Sequence, residues 1–196
     1  MLEYLGCKYE VFNHVYNPSD DSFLLARNLN INENDSVLEI GTGCGIISII
    51  AALNGAKCIS IDISSFALKC AKYNSKVNYV NNRIDFILSD LFSSLKMPLK
   101  FDKILFNPPY LPEEEPINDV IEKSWNGGKR GNELILRFLD DLNHFMKKNT
   151  IVLLVISSLS KKEEIYRKIR EKSFKYQILD SEKHFFEKIM VLEIKK

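Results

Sequence analysis

The sequence predicts an α/β fold, an open and mainly parallel sheet with an antiparallel last strand and helices on both faces. Three observations carry that prediction. Short apolar runs alternate with helix-length segments along the chain. The first strong run, Val37-Leu38-Glu39-Ile40, passes straight into Gly41-Thr42-Gly43-Cys44-Gly45. Acids stand at successive strand ends, as Glu39, Asp62 and Asp90.

The size fits one domain, residues 1–196, since a 196-residue chain that is 45% hydrophobic buries a sizeable core without splitting in two. A net charge of +1, from 27 bases and 26 acids, gives no global field for nucleic acid or an acidic membrane. Cys7, Cys44, Cys58 and Cys70 form no C-x-x-C pair, and His14, His144 and His184 do not flank them at zinc-ligand spacing. Buried reduced thiols and no metal site are expected. The first residues lack a basic, then apolar, leader and no run is long enough to span a membrane, so a cytoplasmic setting is expected.

In chain order, residues 9–12 suit a short strand or an extended arm. Ser19 or Asp20 can then cap a helix carrying Phe23, Leu24 and Leu25. Asp20 and Asp21 have two readings: favourable charge at a helix N-terminus, or part of a lid over a ligand. The strand into Gly41, Gly43 and Gly45 forms a cofactor cradle, because glycine allows positive φ and close backbone approach while the next helix presents free N–H groups. A dinucleotide fingerprint needs G-x-G-x-x-G, but Ile46 follows Gly45 and the third glycine comes one residue early. Glu39 beside the loop repels phosphate and neutralises a cation such as an ammonium or sulfonium.

Residues 46–53 read as a buried helix stopped at Asn54-Gly55. Residues 57–61 form the next strand, ended by Asp62, which can accept both ribose hydroxyls of an adenosine group or, with Ser64 and Ser65, cap the helix over 66–77. The strand Ile84 to Leu88 leads to Asp90, placed to accept from an adenine amino group while Leu91 packs on the ring. The strand over 101–106 ends in Asn107-Pro108-Pro109-Tyr110, the most specific signal in the chain. Two prolines fix φ, remove two donors and hold Asn107 outside helical space. The Asn107 side-chain oxygen and the Pro108 carbonyl then make two acceptors for a planar NH₂ group, with Pro109 stiffening the corner and Tyr110 offering a flat face.

Beyond it, Glu113, Glu114, Glu115, Asp119 and Glu122 suggest a solvated acidic rim that disfavours a polyphosphate substrate. Trp125 stands in a glycine-rich turn as a core anchor or an active-site wall. A helix over 133–146, a strand over 151–156, a helix over 161–172 and an antiparallel pair at 176–179 and 188–194 complete the pattern.

The motif E-x-G-x-G-x-G at Glu39 looks like the first motif of S-adenosylmethionine-dependent methyltransferases. Together with V-Y-N-P-S-D-D-S-F-L-L at 15–25, N-P-P-Y at 107–110 and W-N-G-G-K-R-G at 125–131, it resembles the short archaeal and eukaryotic branch of the HemK-like family, within the Rossmann-like, seven-stranded class I methyltransferases. The motifs cover residues 16–138, and the tail agrees in length and strand pattern. The resemblance implies methylation of the glutamine side-chain amide in the Gly-Gly-Gln loop of a class I translation release factor. It also implies that Ser22, Glu39, Gly41, Asp62, Asp90 and Leu91 contact S-adenosylmethionine, which leaves as S-adenosylhomocysteine, and that Asn107, Pro108 and Tyr110 hold the amide. The chain departs from relatives at Asn17 and Ser22, where Glu and Thr are frequent, and Ser22 keeps the hydroxyl. Enzymes of this branch pair with a small zinc-binding activator subunit, and the apolar third-strand edge, Ile84 to Leu88, is the surface expected to receive it.

Two rival readings stand beside this one. A nucleic-acid amino methyltransferase would place adenine N6 or guanine N2 between the same acceptors, but the net charge, the acidic rim and the missing recognition domain argue against it. A non-catalytic module would bind the cofactor or a partner and transfer nothing.

Overall fold

The computed structural model describes residues 1–96, 99–110 and 131–196. Strand β3 (Ser36–Ile40) sets the layers, because its alternate side chains enter different cores. Val37 joins the apolar cluster under the first three helices, while Leu38 and Ile40 join the cluster on the opposite face. Both faces of the strand are therefore buried, as parallel sheets require.

The other elements follow in order: β1 (Leu2–Tyr4), β2 (Cys7–Tyr9), α1 (Asp20–Arg27), then β3, α2 (Ile46–Leu53), β4 (Lys57–Asp62), α3 (Ser65–Val77), β5 (Ile84–Leu88) and β6 (Phe101–Phe106). After residue 130 come α4 (Glu133–Asp141), a 3₁₀ turn (Leu142–Phe145), β7 (Met146–Ser157), α5 (Lys162–Glu171), β8 (Lys175–His184) and β9 (Glu187–Lys195). Among the described residues, seven strands form one sheet in the order β5-β4-β3-β6-β7-β9-β8. Pairing is parallel except at β9, which runs antiparallel to both β7 and β8. The expected sheet, its antiparallel final strand and the edge position of β5 are all present.

The sheet grows outward from β3 through β4 to β5, then returns to the other side of β3 with β6. That reversal leaves a crevice at the carboxyl ends of β3 and β6, where ligands of open α/β sheets bind. Register completes the placement: Ile40 pairs with Phe106, so Gly41 and Asn107 leave neighbouring strands side by side.

Several boundaries differ from the sequence expectation. The arm near residue 9 is the second strand of a hairpin, with Leu5 (φ 47°) and Gly6 (φ 77°) supplying its two-residue turn. The helix expected over 133–146 ends at Asp141, and Met146 starts a strand. The expected stop of α2 is present as a Schellman motif, with Gly55 at φ 96° donating to Ala52 and Ala56 donating to Ala51. The acids at 113, 114, 115, 119 and 122 and Trp125 lie outside the described residues.

Among the described residues no helix is long and apolar enough to cross a membrane. The four cysteines are free and buried.

Candidate active site

A cavity of about 610 Å³ opens at the crevice, within the roughly 300–1,000 Å³ usual for small-molecule sites. Its wall includes Ser22, Glu39, Gly41, Gly43, Asp62, Asp90, Leu91, Asn107, Pro108, Pro109 and Tyr110, so one space gathers all but one of the cofactor and amide contacts expected from the sequence. Gly45 is the exception. It is the N-cap of α2 at φ 87°, and a Cβ there would lie 2.8 Å from the Ala71 side chain. The third glycine lets α2 pack on α3, which accounts for its spacing without a ligand.

The glycine loop is fastened to β4. The N–H groups of Gly41 and Thr42 both donate to the Ile61 carbonyl, at 2.9 and 3.0 Å, and Gly45 donates to Thr42 at 2.8 Å. Gly43 donates to Asp62 Oδ2 at 2.9 Å. Four of the five N–H groups of Gly41 to Gly45 are thus engaged within the protein, which further weakens any pyrophosphate reading.

Asp62 therefore does structural work as well as lining the cavity. Its Oδ1 accepts from the Ser64 N–H at 2.8 Å, while the Ser64 hydroxyl accepts from Ala67 at 3.3 Å and caps α3. Burial raises the Asp62 pKa, and the N–H groups of Ser64 and Gly43 partly offset the shift. Glu39 lies beneath the loop on the α2 side. Its Oε2 accepts from Thr42 at 2.6 Å and from the Ser48 hydroxyl, which also contacts Ser60. Burial drives its carboxyl up to about 7, against the hydrogen bonds from Ser48 and Thr42. A bound cation would favour the ionised form.

Asp90 reaches across the mouth to Arg137 of α4, with 2.8 Å between Oδ2 and Nη2. Both side chains are about half exposed, so Asp90 can also accept from a ligand at the rim. Leu91, buried at φ 47°, turns the chain inward to line the cavity.

Helix α1 closes the other side. Ser19, its N-cap, makes no side-chain capping bond, and Asp21 turns into the cavity wall. The Asp21 carboxylate accepts from Tyr16 at 3.1 and 3.2 Å, from the Ser22 hydroxyl at 3.1 Å and from Tyr110 at 3.3 Å. Burial, then the charge of Asp21, raises the pKa of both phenols, which stay protonated donors at neutral pH. Of the two readings of the acidic pair, the geometry at Asp21 is that of a wall over the cavity.

This network orients Asn107. The Ser22 hydroxyl proton goes to Asp21, so only lone pairs of that oxygen face Asn107, and Asn107 Nδ2 donates to them at 3.2 Å. The remaining Oδ1 is buried and has no partner among the described residues. A buried orphan acceptor in a cavity wall costs about 1–3 kcal/mol unless a ligand satisfies it. Tyr16, Phe106, Thr42 and Arg137 also line the cavity without having been singled out as site residues. Tyr16 lies within the 15–25 segment that the resemblance rests on, whereas Arg137 sits on an amphipathic helix whose pattern reports only its buried face.

Sheet order, glycine loop and the buried Asn107 acceptor meet at one crevice in the arrangement of a Rossmann-like methyltransferase. Residues 11–185 match the family described as methyltransferase small domain, and the chain belongs to that family. A Methanocaldococcus jannaschii protein named a "putative protein N5-glutamine methyltransferase" is 43% identical over 195 residues, covering 98% of this chain and 97% of that one. The Homo sapiens protein named methyltransferase HEMK2 is 30% identical over 173 residues, covering 82% of this chain and 80% of that one. Among solved structures, the E. cuniculi Mtq2-Trm112 complex, responsible for methylation of the eRF1 translation termination factor, aligns at TM-score 0.70 and 23% identity, covering 93% of this chain and 99% of that chain.

Proposed function

We propose that this chain is an S-adenosylmethionine-dependent N-methyltransferase whose substrate is the side-chain amide of the glutamine in the Gly-Gly-Gln loop of a class I translation release factor. The single observation that carries the reading is Asn107: Nδ2 pinned to Ser22, Oδ1 buried and unsatisfied in the cavity wall. An NH₂ group is the natural partner for that oxygen and the neighbouring Pro108 carbonyl. The relatives support a protein glutamine as its bearer, since the 43% identical archaeal protein carries that activity in its name over nearly the full length of both chains.

The cavity fits the cofactor chemically. Asp62 and Asp90 offer acceptors for ribose and an adenine amino group, Leu91 an apolar surface, and the locked loop repels no cation. S-adenosylmethionine, when bound there, supplies an electrophilic methyl group on a sulfonium sulfur. Asn107 and Pro108 hold the amide nitrogen and accept from its hydrogens as positive charge develops, so this chain contributes alignment and electrostatics. Tyr110 lies flat beside the amide, its hydroxyl held by Asp21. Among the described residues no side chain at the corner is assigned as a general base; the amide proton, strongly acidified as the new N–C bond forms, passes to water.

The partner expectation belongs to this reading. β5 is a sheet edge with Leu88 55% exposed and Phe86 and Ile87 half-buried, which suits coverage by a small zinc-binding activator subunit. A fully active, monodisperse isolated chain would remove it. A release-factor substrate and four unpaired thiols support a cytoplasmic setting.

The test is radiolabelled methyl transfer to a release factor, to its Gln→Ala variant and to nucleic acid, with and without the activator. Label on the first alone is expected; label on nucleic acid alone would shift the assignment to base methylation.

A further inference from the structure

The turn between β8 and β9 consists of Phe185 and Phe186, since His184 pairs with Glu187 in the sheet register. Both side chains are 97% exposed. Two-residue hairpin turns favour Gly, Asn and Asp, which accept the left-handed backbone, yet neither phenylalanine is among the positive-φ residues. Turn chemistry therefore does not explain the pair, and two fully hydrated aromatic rings are unfavourable without a further use.

Their position supplies one. β8 runs in the same direction as β7, so His184 emerges at the carboxyl end of the sheet, where Gly41 and Asn107 lie. His184 Nδ1 is 3.4 Å from Asp20 Oδ2, one residue from the Asp21 carboxylate that holds Tyr110. On the other side of the turn, the Glu187 charge is felt by both Tyr16 and Tyr110. The turn thus projects from the cavity rim beside the Asn107 corner.

We propose that Phe185 and Phe186 form a docking tip that grips an apolar patch on the folded protein substrate, beside the loop whose glutamine enters the cavity; this rests on the glutamine reading above. A side chain inserted as far as Asn107 brings its own protein surface against this rim, making tip and corner one continuous interface. Exposed aromatic side chains are the usual anchors of such contacts. Among the described residues, Asp20, Glu182 and Glu187 balance Arg27, Lys183 and Lys188 around the turn, leaving no net positive charge for anionic lipid or a nucleic-acid backbone.

The test compares wild type with the double variant Phe185→Ala/Phe186→Ala on a full-length release factor and on a short peptide containing Gly-Gly-Gln. The substitutions remove only exposed surface, and an unchanged unfolding midpoint checks that the fold is intact. On the protein, kcat/KM is expected to fall about 10- to 100-fold, mainly through KM, while kcat/KM on the peptide and cofactor affinity stay unchanged. Equal loss on both substrates, or loss on neither, overturns the docking tip. Wild-type but not variant co-sedimentation with phosphatidylcholine/phosphatidylglycerol vesicles, or a wild-type dimer that the variant returns to monomer, would assign the pair elsewhere and overturn it as well. Wild type that labels neither substrate with the activator subunit present overturns the glutamine reading and this inference with it, a result distinct from the others.

Discussion

The phenol of Tyr110, on the corner after β6, donates to the carboxylate of Asp21 on α1 at 3.3 Å, across 89 positions of sequence. One carboxylate therefore fixes the Tyr110 ring and, through Ser22, the amide of Asn107. Helix α1 and the corner after β6 are a single hydrogen-bonded unit.

Removing that carboxylate leaves Tyr16, Tyr110 and the Ser22 hydroxyl without their acceptor. Asp21→Ala should lower stability by about 1–3 kcal/mol and kcat by at least about tenfold. Denaturant unfolding and single-turnover transfer measure the two effects; wild-type values in both would dissolve the proposed unit.

Ser22 separates a hydroxyl requirement from a steric one. Ser22→Thr keeps the oxygen that accepts from Asn107 and should retain most activity, while Ser22→Ala frees the amide to rotate and should reduce kcat about tenfold, the scale of one lost hydrogen bond. Equal activities in the two variants would deny Ser22 its positioning role.

The glycines should respond differently to an added methyl. Gly45→Ala meets Ala71 at 2.8 Å from an unfavourable φ of 87°, and a loss of about 2–4 kcal/mol in unfolding free energy is expected. Gly43→Ala has nothing within 4 Å and carries only the φ penalty, about 1–2 kcal/mol. Urea midpoints in the reverse order would contradict the packing account of Gly45.

Glu39 gives a pH signature. Its folded pKa, about 7, lies above the ordinary 4.5, so the folded protein keeps a proton that the unfolded chain releases. That contribution is complete below pH 4.5 and is lost as pH rises through 7, a decline on the order of 3 kcal/mol. Asp62, also raised by burial, acts in the same sense, whereas Asp102, lowered to about 2 with Lys147 and Ser36 as donors, acts only below pH 3.8. Glu39→Gln should flatten most of the fall between pH 4.5 and 8; thermal unfolding across that range reads it directly.

The sheet was legible because its parallel strands carry short apolar runs, and β3, β4 and β7 each lead into a helix. Elements with weaker patterns were not. The first hairpin uses three-residue strands, and only Gly6 hints at its turn. β8 continues to His184 along an edge, with a bulge between Ile178 and Asp180 and a half-exposed polar face, so its periodicity fades after residue 179. At the site, residues chain-adjacent to strand ends were found readily, since the strand delivers them to the crevice. The pairings of Asp21 with Tyr110 and of Asp90 with Arg137 join residues 89 and 47 positions apart, and no local pattern encodes them. The packing role of Gly45 was hidden for a related reason, because a glycine needed for helix packing has the same spacing as one needed by a ligand.

The most direct test lies at Asn107, compared with wild type by calorimetric binding of S-adenosylhomocysteine and by initial-rate transfer to the release factor. Asn107→Ala should bind the product with little change while kcat falls about 10²- to 10³-fold, the loss expected when a preorganised acceptor is removed. Wild-type turnover by the folded variant, or loss of cofactor binding in step with activity, would contradict the account.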